Sequence, residues 1–168
     1  MRRRNQHTLF TGLFVVGLFV LGILACASNG TAASGDESRH EGEKSMSDKG
    51  TKVKLVIGET IIPAVLNDSK PARALLAKLP YSVKLQRYEH DYCGVMSETL
   101  PYDAAELRSG WKNGDIAFAV NGNYFAILYK DEEISQQYDG MVTMGALDCS
   151  PSVMETLAGS ISVSIEQD

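Results

Sequence analysis

From residue 51 onward, apolar side chains return at every second position over short stretches, a spacing that commits the chain to β-strands. Lys52-Val53-Lys54-Leu55-Val56-Ile57 alternates polar and apolar, and Gly58-Glu59 turns it into Thr60-Ile61-Ile62-Pro63-Ala64-Val65-Leu66. Residues 81–89, 114–120, 124–130 and 141–148 read as further strands. Ile161-Ser162-Val163-Ser164-Ile165 closes the series with strict alternation. Asn121-Gly122-Asn123, between two of these stretches, is the strongest hairpin signal in the chain.

Two interruptions read as helix. Asp68 or Ser69 can cap a helix whose first turn holds Pro71. Ala72, Leu75, Leu76 and Leu79 then share one face, and Pro80 stops the run. Residues 150–157 form a second short helix. Many short strands with two short helices predict a mainly β domain, a small closed barrel, over residues 51–168.

The N-terminal segment is of another kind. Arg2, Arg3 and Arg4 precede an almost purely apolar run over residues 9–25, and Ile23-Leu24-Ala25 lead into Cys26. A basic start, an apolar stretch and a small residue at the cut predict a signal peptide over residues 1–25. The run is shorter than the roughly 20 residues of a spanning helix. A cysteine directly after the cut resembles the lipobox of bacterial lipoproteins, whose thiol takes a diacylglyceryl group. That resemblance implies lipidation of Cys26, a membrane as partner through the lipid anchor, and a domain in the bacterial cell envelope outside the cytoplasm. Residues 26–50 hold Met46 as their only large apolar side chain. Such a segment cannot offset its own ordering entropy and serves as a flexible tether, reaching on the order of 25–30 Å.

Charge excludes one class of partner. The full chain carries 16 basic against 21 acidic side chains; the leader takes three arginines, leaving 13 and a formal charge of −8. Without a basic cluster, a nucleic-acid partner is not expected, because that binding rests on phosphate neutralisation. Cys93 and Cys149 are a candidate disulfide in an oxidising compartment, worth about 4 kcal/mol by loop-closure entropy. The bridge requires Cα atoms within about 7 Å. His90 lies beside Glu89, Asp91 and Cys93, but no second histidine accompanies it, so no metal is expected. Nor is a cofactor: no phosphate-binding glycine loop or nucleophile elbow occurs.

An ordered set of motifs then narrows the fold. Leu66-Asn67-Asp68 leads into Pro71-Ala72-Arg73 and through Leu79-Pro80. Gly114-Asp115-Ile116-Ala117-Phe118, Tyr124-Phe125-Ala126-Ile127-Leu128-Tyr129 and Leu147-Asp148 follow. Together these resemble the small bacterial cyclophilin-like domain family, which implies the closed barrel of prolyl isomerases with helices at its ends. One departure stands out. Many members carry a Glu-Lys pair in the loop after the third strand, whereas here it runs His90-Asp91-Tyr92-Cys93-Gly94-Val95-Met96. Any binding role of that pair is not carried over.

Isomerase activity does not follow from the fold. Cyclophilin isomerases aim an arginine at the prolyl nitrogen and carry a Gln-Gly-Gly-Asp-Phe-type motif, which is absent here. The domain has three arginines: Arg73, on the first helix, Arg87, and Arg108, in a polar stretch. Val83, Leu85 and Arg87 share one parity, which turns Arg87 inward near the end of its strand. A buried arginine needs a carboxylate, a carbonyl or a ligand; Glu89 and Glu98 are candidate partners, and an arginine at a strand end can instead reach solvent. Trp111 either lines a cleft or caps the barrel. Phe118, Phe125 and Tyr129 sit in apolar runs that read as core. Arg87, Trp111, Phe118 and Phe125 are the candidate residues for binding a small molecule or peptide without catalysis, against the alternatives of an atypical prolyl isomerase and a protein-docking module. Asp131-Glu132-Glu133 reads as a solvated turn.

Overall fold

The computed structural model describes residues 50–168. The expected signal peptide, the expected lipidation at Cys26 and the expected tether up to residue 49 lie outside the described residues. Eight strands follow in order: β1 (Thr51–Ile57), β2 (Thr60–Leu66), β3 (Tyr81–Arg87), β4 (Asp91–Val95), β5 (Asp115–Ala119), β6 (Tyr124–Leu128), β7 (Met141–Leu147) and β8 (Ser160–Gln167). They close into a barrel in the order β1-β2-β7-β5-β6-β4-β3-β8, with β8 returning to β1. Every pairing is antiparallel. The expected mainly β closed barrel is therefore the observed fold.

Period-two alternation decides which side chains fill it. Val53 and Leu55, Val83 and Leu85, Ile116 and Phe118, Phe125 and Ile127, and Val163 and Ile165 all enter one core. α1 (Lys70–Leu76) adds Ala72 and Leu75, and the 3₁₀ segment Pro151–Thr156 adds Met154. These are the two expected short helices; both stop short of the boundaries read from the sequence, and the second is 3₁₀. Two more 3₁₀ turns, Ala104–Glu106 and Glu132–Gln137, lie in polar stretches. No helix among the described residues is long and apolar enough to cross a membrane. Because the barrel closes on itself and, among the described residues, its core lies within residues 53–165, residues 50–168 hold a complete barrel with its own core.

The loop expected after β3 is corrected: most of it is β4, paired with β3 at Gln86↔Cys93 and with β6 from Asp91↔Leu128 to Val95↔Tyr124. Tyr92 points inward and is fully buried, while Asp91 and Cys93 point outward. Gly94 is needed here for space: a Cβ would lie 1.9 Å from the carbonyl oxygen of Lys84 on β3.

The expected disulfide does not form. Cys93 and Cys149 are both free thiols. Cys93 is on β4 and Cys149 follows β7, with β6 and β5 between those strands. Three inter-strand steps span about 14 Å along the sheet, twice the reach of a disulfide.

Candidate functional site

The four candidate residues do not converge. Phe118 and Phe125 face each other across β5 and β6 inside the barrel, both fully buried. Their place as ligand contacts is thus corrected to core packing. The outer positions of the same strands, Ala117, Ala126 and Leu128, join Met141 of β7 in a second, smaller apolar layer under Trp111, with Cys93 and Ala119 against it. Trp111 caps this outer face, and its indole N–H donates to the Lys130 carbonyl at 3.0 Å.

Arg87 turns inward as its parity requires, but neither Glu89 nor Glu98 receives it. Glu98 pairs with Lys78 at 2.5 Å. Arg87 Nε donates to the Tyr92 hydroxyl at 2.7 Å, and that hydroxyl donates to the Ala158 carbonyl at 2.8 Å. Nη2 reaches the carbonyls of Met154 at 3.3 Å, Glu155 at 3.1 Å and Leu157. The guanidinium also lies 5.2 Å from the Tyr92 ring centroid. Arg87 thus gathers the carbonyls that end the 3₁₀ segment Pro151–Thr156, a structural clasp.

A cleft of about 420 Å³ opens on the outer side of the barrel, within the size range of small-molecule sites. The β3–β4 turn contributes Tyr88, Glu89 and His90; β4 contributes Asp91 and Cys93; β6 contributes Tyr124. Tyr138 arrives from the end of the 3₁₀ turn Glu132–Gln137. His90 is the pivot. Its Nδ1 lies 2.8 Å from Asp131 Oδ2, and its Nε2 lies 3.3 Å from the Tyr138 hydroxyl. These partners fit the Nδ1-protonated tautomer, with Nε2 accepting from tyrosine. The ring sits 5.8 Å from both Trp111 and Tyr138, which are 5.3 Å from each other. Trp111 therefore backs the cleft through His90 and Tyr138 without lining it.

Burial sets the protonation of the cleft's β4 side chains. It pushes the Asp91 carboxyl above the usual carboxylate range, against smaller opposing effects of Cys93 and His90. Burial first, and the Asp91 carboxylate second, push the Cys93 thiol up to about 12. Such a thiol is not a nucleophile near neutral pH. Its ordinary value is 9.0. The unfolded chain therefore releases this proton first, and the stability Cys93 contributes is full below pH 9 and lost as pH rises towards 12. At pH 8, a thiol reagent is expected to label only exposed Cys149 in native residues 50–168, and both cysteines after unfolding. Rapid labelling of Cys93 in the native state, or of neither cysteine after unfolding without reductant, would contradict this.

No group of three metal-ligating side chains suited to an ion occurs among the described residues. Sequence reasoning passed over Tyr88, Tyr124 and Tyr138. Tyr124 was readable, since it has the opposite parity to Phe125 and Ile127. Tyr138 lies in a polar run whose return to His90 no local pattern signals.

Comparison with known proteins gives the fold a relative. The model of the Cyclophilin-like family matches residues 55–166, two-thirds of the chain. A search of the curated proteins found no match. Among solved structures, the solution structure of a hypothetical protein from Archaeoglobus fulgidus is similar, with a TM-score of 0.56 and 15% identity. The match covers 73% of this chain and 100% of that one, a likeness of fold alone.

Proposed function

The chain belongs to the cyclophilin-like family, and from that premise we propose that it is a lipid-anchored envelope protein whose barrel binds a ligand in the outer cleft without turnover. The observation that carries the site is the cleft itself. Three exposed tyrosines, a histidine and two carboxylates converge on one concavity of about 420 Å³. Such convergence of polar groups and aromatic surface in one hollow is the usual form of a binding site.

Arg87 supports the absence of turnover. A prolyl isomerase needs a free guanidinium aimed at the peptide nitrogen. Arg87 is spent on Tyr92 and three backbone carbonyls, and no lysine or arginine lines the cleft. The anchor rests on the leader and Cys26. Several acyl chains hold a protein firmly where one holds it marginally. In a bacterial host, the wild-type chain is expected in the membrane pellet, and Cys26→Ser in the uncleaved or soluble pool without incorporated lipid label. Unchanged lipid labelling in Cys26→Ser would remove the anchor from this account.

A further inference from the structure

We infer that the outer cleft selects a small organic cation, a protonated or quaternary amine, held against tyrosine faces beside the Asp91 carboxylate. The inference rests on the reading of this cleft as the ligand site and supplies the ligand's chemistry. Three observations carry it.

The first is the distribution of aromatic surface. Tyr88, Tyr124 and Tyr138 are 59%, 39% and 41% exposed. Folded chains ordinarily keep such rings in the core or scatter them, yet these three line one hollow. Ring faces turned to solvent around a concavity attract cations through their quadrupoles.

The second is the sign of the charge. Glu89 and Asp91 line the cleft, and no lysine or arginine does. Lys130 is nearest in sequence to the wall, but it lies 3.9 Å from Asp131 and 5.9 Å from the Tyr129 ring. Asp131 is in turn taken by His90. Arg87, one residue before Tyr88, faces the opposite side of the sheet.

The third is an unmet acceptor. Asp91 Oδ1 is buried and has no hydrogen-bond partner. A buried carboxylate oxygen without a donor is costly, and an opposite charge nearby offsets that cost without contact to the covered atom. A cation seated between the tyrosines, protonated or quaternary, would supply the opposing charge beside Asp91, which lines the cleft. An anion would meet two carboxylates, and a neutral ligand would leave Asp91 uncompensated.

The test is an NMR titration of labelled residues 50–168 at pH 8 with benzyltrimethylammonium, its neutral carbon isostere neopentylbenzene, and benzoate. An X-Pro peptide forms a fourth arm. The cation is expected to shift the amides of Tyr88, Asp91, Tyr124 and Tyr138, with at least about tenfold tighter binding than the isostere. Asp91→Asn is expected to weaken the cation about tenfold and leave the isostere unchanged. That variant also relieves a buried carboxylate, so its melting temperature is expected to equal or exceed wild type, which separates lost recognition from lost folding. Equal affinity for cation and isostere, or preference for benzoate, overturns the inference while the cleft remains a ligand site. No shift with any small probe also overturns it; peptide shifts at the same residues would then keep the cleft, and their absence would remove both.

Discussion

Arg87→Ala is expected to lower the unfolding free energy of residues 50–168 by about 3 kcal/mol, read from urea denaturation. The cost has three sources. The Tyr92 hydroxyl loses its donor, the carbonyls of Met154, Glu155 and Leu157 lose their shared partner, and the guanidinium leaves the Tyr92 ring. Charged hydrogen bonds contribute about 1.5–3 kcal/mol each when one partner is removed, and they share the same cation here. Arg87→Lys is expected to recover less than half of the loss, because a lysine has no planar fork to divide between a hydroxyl and backbone carbonyls. Cation binding in the outer cleft is expected to survive either change. A variant as stable as wild type would mean the clasp contributes nothing, and Arg87 would again be free for a ligand.

Phe118→Ala is expected to cost about 4 kcal/mol, the range for a fully buried phenyl ring whose cavity the surroundings cannot refill. Phe118 pairs with Phe125 on the adjacent strand, and its ring lies 6.4 Å, centroid to centroid, from that of Tyr102. Its strand is pinned on both sides, by β6 and β7, so collapse onto the vacancy is limited. The cleft's tyrosines lie on the other face of the sheet. The midpoint of urea unfolding should therefore fall sharply while ligand affinity of the folded fraction stays within twofold of wild type. Loss of binding without loss of stability would restore Phe118 as a ligand contact.

Much of the barrel was legible because alternation states, residue by residue, which side of a sheet a side chain serves. β1, β3 and β8 carry that signal cleanly; β5 and β6 read instead as continuous apolar runs, because Ala117, Ala126 and Leu128 pack on the outer face under Trp111. β4 did not, for a physical reason: its outward positions, Asp91 and Cys93, belong to the cleft, and Gly94 gives its side-chain space to the β3 backbone. Only Tyr92 marks its inner face. The pattern is lost on the strand that lines the proposed cleft.

The arginine shows the other boundary of sequence reasoning. Parity turned Arg87 inward, as observed, and allowed a carbonyl partner, but the only residues it could name were the carboxylates Glu89 and Glu98. Backbone carbonyls carry no letter in the sequence, so a clasp on the end of a 3₁₀ segment some 70 residues away cannot be read locally. Trp111 was readable as a cap or a cleft wall; it caps the outer layer and meets the cleft from behind, through His90 and Tyr138. Tyr138 reaches the site through the loop that follows Asp131, whose left-handed backbone (φ 63°) redirects the chain.

The measurement that bears most directly on the central claim, a cyclophilin-like barrel that binds without isomerising, is the rate of cis-to-trans conversion of a short X-Pro peptide with residues 50–168 added. The account predicts the uncatalysed rate, tens to hundreds of seconds at 25 °C, unchanged as protein is raised to peptide-equivalent concentration. Acceleration proportional to protein concentration, lost in Asp91→Asn or a Tyr124→Ala variant, would contradict it and make the outer cleft an active site.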